Sequence, residues 1–375
     1  MEIKSALVNG TGEDYEIETV KLSEIQDDEI RVKMVASGIC HSDEVARTGE
    51  LPHPLPAILG HEGAGIVEEV GSYVKNIKAG DQVVLSYKYC GHCNHCLTGK
   101  PASCNSFASL NLDGKRSEGT YYFEKPDGTK INSYMHSAFS TYSIVKQENV
   151  TVVDDDVDLR LVGPLGCGFM TGAGTVFNGL KPEAGSTIAV FGTGAVGMAA
   201  LMAGKIAGCT KVIGIDIHDD RLELARELGA THVINSKTQD IEEEVNQLTG
   251  NQGINYIVDT TGVVPVIKTA ISLLAKEGVI APIAVQKGDL ELNVLTELSV
   301  SNRSIIGVLM GNTIPQLTIK QLVELHRANR FPFDKLIEFY KFEDINQASQ
   351  DSASGKTVKP VLIIDEEYKP KAAQA

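Results

Sequence analysis

The sequence predicts an α/β protein that combines a β-rich region with a doubly wound parallel sheet. Residues 1 to about 165 carry short alternating runs of apolar and polar residues, such as Ile30–Val35 and Gly65–Val70, which are typical of a meander or a barrel. From about Gly168, β-branched runs alternate with helical patterns. That alternation is characteristic of β-α units repeated around a parallel sheet. We therefore expect two domains of different texture.

The β-α region ends near Leu309. Its predicted strands are Thr187–Phe191, Lys211–Asp216, His232–Ile234, Tyr256–Asp259 and Val279–Ala284. Its predicted helices are Met198–Ala207, Arg221–Leu228, Ile241–Leu248 and Val264–Leu274. Beyond Leu309 the sequence predicts helices over Gln316–Arg327 and Phe342–Ser352, a strand over Val361–Ile364 and an unstructured tail over Lys369–Ala375.

Length, charge and cysteine content exclude several classes of protein. At 375 residues the chain is long enough for two domains with cores of their own, and it has no apolar run approaching the ~20 residues of a membrane span. The start at Met1 lacks the regions of a signal peptide, so we expect a cytoplasmic protein. A net charge of −15 disfavours nucleic acid and anionic membranes as partners. Seven cysteines in such a chain argue against a disulfide scaffold.

A glycine-rich turn follows the first predicted strand of the β-α region and opens its first helix. The first glycine of such a turn allows a tight bend, the second lets the backbone approach a pyrophosphate, and the third lets helix pack on strand. The helix N-terminus then faces the phosphates. Because strand, turn and helix occur in the required order, we predict a dinucleotide site rather than a turn without a ligand. Its predicted contacts are Gly192, Gly194, Ala195, Val196 and Gly197.

The acidic residue that ends the second strand indicates which dinucleotide binds. Asp216 lies where a carboxylate takes the hydroxyls of the adenosine ribose. The same carboxylate would face the 2′-phosphate of NADP, and two unit charges ~4 Å apart repel by ~4 kcal/mol at an effective dielectric constant of ~20. We therefore predict NAD as the cofactor. The preference is not absolute, because His218 and Arg221, the latter a predicted cofactor contact, follow closely.

Four cysteines form one short segment with metal-binding spacing. Cys90, Cys93, Cys96 and Cys104 supply soft ligands that let a single loop wrap a tetrahedral ion. The loop is too polar to bury a core, and structural zinc contributes on the order of 10 to 16 kcal/mol in peptides. We predict a structural zinc, since four protein ligands leave no open position. An iron-sulfur cluster or free surface thiols are the alternatives.

A second set of candidate ligands is scattered along the chain. Cys40, His61 and Cys167 lie in short segments rich in polar residues and glycine. Taken singly, each has an ordinary interpretation, because cysteine is often a small buried hydrophobe and histidine is often satisfied in a core. The residues alone therefore do not decide whether the chain has a second metal site.

Taken together, these motifs resemble those of the zinc-containing medium-chain alcohol dehydrogenases. The similarity runs essentially from end to end, and the segment from Gly60 to Asp81 matches the zinc signature of that family residue type by residue type. Within the family the chain is most similar to benzyl (aryl) alcohol dehydrogenases. The segments that carry this likeness are Gly163–Gly168, Ala138–Tyr142 and Phe331–Ile337.

The resemblance implies an architecture and an activity. A GroES-like catalytic domain, residues 1–168 and 310–375, would clasp a Rossmann domain, residues 169–309. Catalytic zinc would be held by Cys40, His61 and Cys167, which makes two Zn²⁺ per chain, and the chain would form a homodimer or homotetramer. The expected reaction is reversible hydride transfer from a primary alcohol, aromatic or allylic preferred, to NAD. A hydroxymethyl-glutathione or polyol dehydrogenase is the alternative.

The resemblance also assigns roles beside the metal. Ser42 would accept the alcohol proton, although a turn or helix-cap serine is the ordinary interpretation. Asp43 would orient His61, and Glu62 would lie behind the zinc as a transient ligand or as an ion-pair partner. Residues expected near the cofactor are Thr171, Ile283 and Val285 at the nicotinamide, and His41 and Lys359 at the pyrophosphate.

One position departs from the family pattern. Many alcohol dehydrogenases carry a proton-relay histidine three residues after the hydroxyl residue, and this chain has Val45 there. The relay would end at the ribose, use water or borrow another group such as His53. A dinucleotide-binding protein without catalysis is the competing class, and it is disfavoured because all seven candidate metal ligands are present.

Overall fold

The computed structural model describes residues 1–371, which form two compact units. The first unit contains Met1–Gly168, Ile314–Glu324 and the chain from Asp334 onward. The second contains Phe169–Thr313 and Leu325–Phe333. Residues 372–375, which belong to the tail predicted as unstructured, lie outside the described residues.

The first unit is built from a closed barrel and a mixed sheet, which confirms the predicted β-rich region. Its strands are β1 (Glu2–Val8), β2 (Glu16–Leu22), β3 (Glu29–Gly38), β4 (Ala57–Ile58), β5 (Glu62–Val70), β6 (Gln82–Leu85), β7 (Phe123–Glu124), β8 (Lys130–Ser133), β9 (Tyr142–Lys146), β10 (Val150–Val152), β17 (Ile337–Lys341) and β18 (Lys359–Ile363). The barrel has the order β1-β2-β7-β8-β4, and the sheet has the order β10-β6-β5-β3-β18-β17 with β9 paired on β3.

Strand β3 is the centre of this sheet. Its residues Ile30, Val32 and Met34 alternate into a buried core, as the sequence pattern predicts. It pairs antiparallel with β5 and with β18, so that Gly38 lies opposite both Glu62 and Val361. The ends of three strands that are distant in sequence therefore meet at one place.

The second unit contains a six-stranded parallel sheet, which confirms the doubly wound fold. Its strands are β11 (Thr187–Phe191), β12 (Lys211–Asp216), β13 (His232–Asn235), β14 (Ile254–Asp259), β15 (Leu274–Pro282) and β16 (Ser304–Ile305). Their order is β13-β12-β11-β14-β15-β16. The order reverses at β11, and ligands of such sheets bind at the carboxyl ends of the strands beside this reversal.

The predicted helices are present with shifted ends. The helices are α1 (His41–Arg47), α2 (Asn94–Leu97), α3 (Phe107–Leu112), α4 (Leu159–Val162), α5 (Gly168–Gly174), α6 (Ala195–Ile206), α7 (Asp219–Leu228), α8 (Ile241–Thr249), α9 (Val264–Ser272), α10 (Pro315–Arg327) and α11 (Ile345–Ser354). No helix within residues 1–371 has both the length and the apolar character needed to span a membrane.

The largest errors in the predicted boundaries lie at the connection from α9 to β15, where the strand begins at Leu274 rather than Val279, and at the start of α11. Helix α9 ends at Ser272, because Leu274 already pairs with Ile254 and begins β15. The segment predicted as helix from Phe342 begins as a 3-10 turn, and the α-helix starts only at Ile345. In both places tertiary pairing decides a boundary that the apolar pattern leaves open.

Candidate active site

Three side chains that are far apart in the sequence meet inside the first unit. Cys40 lies two residues beyond β3 and precedes α1, His61 directly precedes β5, and Cys167 follows the turn Gly163–Gly166. Their ligand atoms all lie within 4.8 Å of one another. Two thiols and one imidazole at this spacing suit a zinc ion that keeps one coordination position open.

Asp43 fixes the imidazole of His61. Its Oδ1 lies 2.8 Å from His61 Nδ1 and accepts the N–H of Gly60 at 3.0 Å, and its Oδ2 accepts the N–H of Cys40 at 3.0 Å. Asp43 is completely buried. Because Nδ1 is engaged, Nε2 is the nitrogen left for a metal, and this buried atom has no hydrogen-bond partner among the described residues. The residues therefore fit a metal ion, with Asp43 placed to orient a ligand.

The charges around this group shift the pKa values of its members. Burial opposes protonation of His61, but the charges of Asp43 and Cys40 raise its pKa well above the usual value. The hydrogen bond from Cys167 lowers the pKa of the Cys40 thiol well below its usual value, although burial acts in the opposite direction. A thiolate at Cys40 is the form that a metal requires.

A buried ion pair lies next to these three side chains. Lys359 Nζ donates to Glu62 Oε2 at 2.8 Å and to the carbonyl of Ile39 at 3.0 Å, while Glu62 Oε1 accepts the N–H of Gly168 at 3.0 Å. Burial raises the pKa of Glu62 to about 7. Burial also opposes the charge of Lys359, but Glu62 raises the Lys359 pKa to about 12. Sequence reasoning placed Lys359 at a pyrophosphate, and it missed this pairing.

The four loop cysteines also converge. Cys90, Cys93, Cys96 and Cys104 have ligand atoms within 4.8 Å of one another, and the Cys93 and Cys96 sulfurs are 3.5 Å apart. The N–H groups of Asn105 and Cys96 lower the pKa of the Cys93 thiol to about 6. All seven cysteines of the chain carry free thiols. Four thiols around one centre fit a structural zinc.

Ser42 lies on the first turn of α1 beside the candidate metal ligands. Its Oγ is 3.9 Å from the Sγ of Cys40, so its hydroxyl lies beside a candidate metal ligand. Val45, one turn further along α1, is buried and cannot accept a proton. The helix that presents the hydroxyl therefore provides no relay group at the usual position.

His53 and His61 both contact the same aromatic residue, Tyr134. The ring of Tyr134 packs edge-to-face against both imidazoles, with centroid distances of 5.1 Å to His53 and 5.6 Å to His61. Burial lowers the pKa of His53 to about 4, so its ring is neutral near pH 7. Tyr134 has no sequence motif of its own, and sequence reasoning missed it.

The glycine turn of the second unit has the geometry that a dinucleotide needs. Gly192 has φ +85°, which favours glycine, and a Cβ on Gly197 would lie 1.9 Å from the carbonyl oxygen of Gly192. A Cβ on Gly194 would meet no atom within 4 Å, so the turn is open there. Helix α6 begins at Ala195 with Val196 in its first turn. These features fit a pyrophosphate.

Asp216 is bound by four donors of the protein itself. Its Oδ2 accepts the N–H and the hydroxyl of Thr193 at 2.6 and 2.9 Å. Its Oδ1 accepts the N–H groups of Ile217 and His218 at 2.7 and 3.1 Å. The predicted ribose acceptor therefore also ties the end of β12 to the glycine turn.

The other predicted cofactor contacts differ in exposure and in whether their polar atoms already have hydrogen-bond partners. Thr171 Oγ1 and Arg221 Nε are buried without a hydrogen-bond partner in the described part of the chain. The N–H of Ile283 already donates to the carbonyl of Asp259 at 2.9 Å, so only the Ile283 carbonyl is left for a ligand. Val285 is exposed, and so is His41 at the start of α1.

Two family models match the chain. Residues 26–155 match the alcohol dehydrogenase GroES-like domain, and residues 195–327 match the zinc-binding dehydrogenase model. The first match includes Cys40, His61 and the four loop cysteines, and the second begins at Ala195, the first residue of α6.

Individual relatives match almost the whole chain. A geraniol dehydrogenase of Castellaniella defragrans is 36% identical over 96% of this chain and 97% of its own length. The crystal structure of benzyl alcohol dehydrogenase from Acinetobacter calcoaceticus has a TM-score of 0.92 at 41% identity, covering 97% of this chain and 99% of that chain. A zinc-binding alcohol dehydrogenase domain protein from Burkholderia ambifaria has a TM-score of 0.94 at 42% identity, with the same coverage.

Proposed function

This chain belongs to the zinc-containing medium-chain alcohol dehydrogenases, and we propose that it oxidises primary alcohols reversibly with NAD as the hydride acceptor. The observation that carries the proposal is the convergence of Cys40, His61 and Cys167 on one buried point. Aromatic and allylic alcohols are the proposed substrates, because a benzyl alcohol dehydrogenase and a geraniol dehydrogenase are similar to this chain over nearly its full length.

In this proposal, Cys40, His61 and Cys167 would hold the catalytic zinc and Cys90, Cys93, Cys96 and Cys104 the structural one. A bound zinc ion supplies a Lewis acid that lowers the pKa of a hydroxyl at the open position, as it lowers that of water from 15.7 to ~7. Asp43 keeps His61 in the tautomer that leaves Nε2 free, since it binds Nδ1. Ser42 accepts the hydroxyl proton of the alcohol.

Lys359 and Glu62 set the charge balance of the site. Two thiolates, the carboxylates of Asp43 and Glu62, the ammonium of Lys359 and a divalent ion would have a net formal charge of −1, which would be −2 without Lys359. Lys359 therefore lowers the electrostatic penalty of removing the alcohol proton beside these groups. The ammonium of Lys359 serves this balance from a position in which it is 3% exposed.

For the cofactor, we propose that the glycine turn and the N-terminus of α6 hold the pyrophosphate and that Asp216 takes the ribose hydroxyls. Thr171 offers the nicotinamide a buried hydroxyl that has no hydrogen-bond partner within residues 1–371. The resemblance adds His41, Lys359, Ile283 and Val285 as further contacts. In these roles the chain's own residues bind and orient the cofactor and exclude water.

We also propose a homodimer or homotetramer formed through the edge of the parallel sheet. The outermost strand β16 has only two residues, and Val294, Leu295 and Val300 beside it are each more than 60% exposed. A sheet edge flanked by exposed apolar side chains favours pairing with another copy.

A substrate panel with NAD tests the proposed activity. We expect kcat/KM for benzyl alcohol and for an allylic alcohol to exceed that for ethanol at least ~10-fold, since an apolar ring binds by burial of its surface. Sorbitol and the glutathione adduct of formaldehyde should be poor substrates. A highest value for either of those two would support the alternative dehydrogenases, and NADH binding without turnover of any alcohol would contradict catalysis.

A further inference from the structure

The hydrogen bonds of Asp216 leave no acceptor site free. An ionised carboxylate has about four lone-pair positions, two on each oxygen. In this protein all four are filled, by the N–H and hydroxyl of Thr193 on Oδ2 and by the N–H groups of Ile217 and His218 on Oδ1. A ribose hydroxyl that donates to Asp216 must therefore replace one of these donors.

The four donors differ in how readily they can leave. Three of them are peptide N–H groups, and their directions are fixed by the glycine turn and by the chain that follows β12. The fourth is the side-chain hydroxyl of Thr193, which can leave Asp216 by rotation about the Cα–Cβ bond. Only this donor can withdraw without moving the backbone.

We propose that the hydroxyl of Thr193 occupies the acceptor site of Asp216 that the adenosine ribose takes over, and that Thr193 thereby limits the affinity of the protein for its dinucleotide. The inference rests on the proposed function, since it assumes that Asp216 binds the ribose. Thr193 is completely buried. Once displaced, its hydroxyl has no water to donate to, and that lost hydrogen bond opposes cofactor binding.

The methyl group of Thr193 has a separate role that variants can isolate. A Cβ built on Gly214 of β12 would lie 3.4 Å from Thr193 Cγ2, so the methyl packs against that strand. Thr193→Ser removes the methyl and keeps the hydroxyl. Thr193→Ala removes both and leaves the acceptor position of Asp216 Oδ2 open, so Thr193→Ala set against Thr193→Ser isolates the hydroxyl.

The test measures dissociation constants of NADH, ADP-ribose and NADPH by fluorescence titration or calorimetry without alcohol present. In Thr193→Ala we expect NADH and ADP-ribose to bind about three- to tenfold more tightly than in Thr193→Ser, the size of one net hydrogen bond. NADPH carries a phosphate in place of the 2′-hydroxyl, so its dissociation constant should change less than twofold. Thr193→Ser should bind NADH within twofold of the unmodified protein.

A matched control removes another buried threonine hydroxyl of the same unit. Thr249 Oγ1 donates to the carbonyl of Val245 at 2.8 Å, and Thr249→Ala should leave all three constants unchanged. Equal or weaker NADH binding by Thr193→Ala than by Thr193→Ser would overturn the inference, as would equal tightening of NADH and NADPH. If the unmodified protein binds neither dinucleotide, the proposed function itself has failed, which is a different result.

Discussion

The two cysteine clusters of the first unit are built in opposite ways. The loop cluster takes all four thiols from Cys90–Cys104, and three of them are partly exposed. The buried cluster takes Cys40, His61 and Cys167 from the ends of separate elements. Asp43, Glu62 and Lys359, each at most 3% exposed, surround it. The loop cluster is therefore defined by spacing along the chain, whereas the buried cluster is defined by the fold.

This difference predicts different dependence on the metal. Asp43 holds Cys40, Gly60 and His61 through three hydrogen bonds, so the protein itself positions two of the three candidate ligands of the buried cluster. The polar loop has no comparable core, and ligation supplies its folding energy. Removing a metal from the loop should cost structure, and removing one from the buried cluster should cost activity.

The largest expected effect comes from Cys167→Ala set against Cys96→Ala. Without Cys167 we expect kcat/KM to fall ~10⁴-fold, because hydroxyl activation is lost, while the melting temperature stays nearly constant. Without Cys96 we expect the melting temperature to fall by about 10 °C, as for a loss of a few kcal/mol. Zinc content, kinetics and thermal melting measure these outcomes. Equal losses of stability and of activity in the two variants would contradict the proposed difference between the two clusters.

A second prediction concerns the ion pair of Lys359 and Glu62 beside the buried cluster. Lys359→Met leaves the Glu62 carboxylate without its partner, and we expect a loss of about 3 to 5 kcal/mol in the free energy of unfolding. Glu62→Gln combined with Lys359→Met should recover part of that loss, because no buried charge is then unpaired. Lys100→Met changes an exposed lysine of the cysteine loop and should cost less than about 0.5 kcal/mol. Urea unfolding measures all three, and equal losses from both lysines would contradict the contrast.

Sequence reasoning succeeds where ligands are local and fails where they depend on sheet register. The loop cysteines can be recognised from spacing alone. Cys40, His61 and Cys167 needed the resemblance to a family, because the pairing that places Gly38 opposite Glu62 is not visible in apolar periodicity. The same limit explains the wrong end of α9, since Leu274 joins the sheet only through its partner Ile254.

Side-chain pairings are a further step beyond sequence. Lys359 reaches Glu62 because β18 lies beside β3, opposite β5, and no motif specifies which strand takes that place. Likewise, the sequence predicts Asp216 as a ribose acceptor, but the hydrogen bond that it accepts from the Thr193 hydroxyl depends on a single rotamer. The sequence therefore indicates which groups carry the chemistry, and the structure shows what each of them already binds.

The smallest expected effect concerns His53, whose imidazole packs edge-to-face against Tyr134 beside the buried cluster. The pKa of His53 is about 4 in the folded protein and about 6.5 in an unfolded chain. Between these values the unfolded state binds the additional proton, so acid lowers stability. From pH 7.5 down to pH 5 this single group removes about 2 kcal/mol, with a slope that approaches about 1.36 kcal/mol for each pH unit between the two pKa values.

His53→Phe keeps a ring against Tyr134 and abolishes this titration. Its urea midpoint should therefore fall less between pH 7.5 and pH 5 than that of the unmodified protein, by an amount corresponding to about 2 kcal/mol. Carboxylates elsewhere titrate in both proteins and cancel in the comparison. If the urea midpoints of the two proteins fell equally between pH 7.5 and pH 5, the imidazole of His53 would not be held neutral by its surroundings, and this prediction would be contradicted.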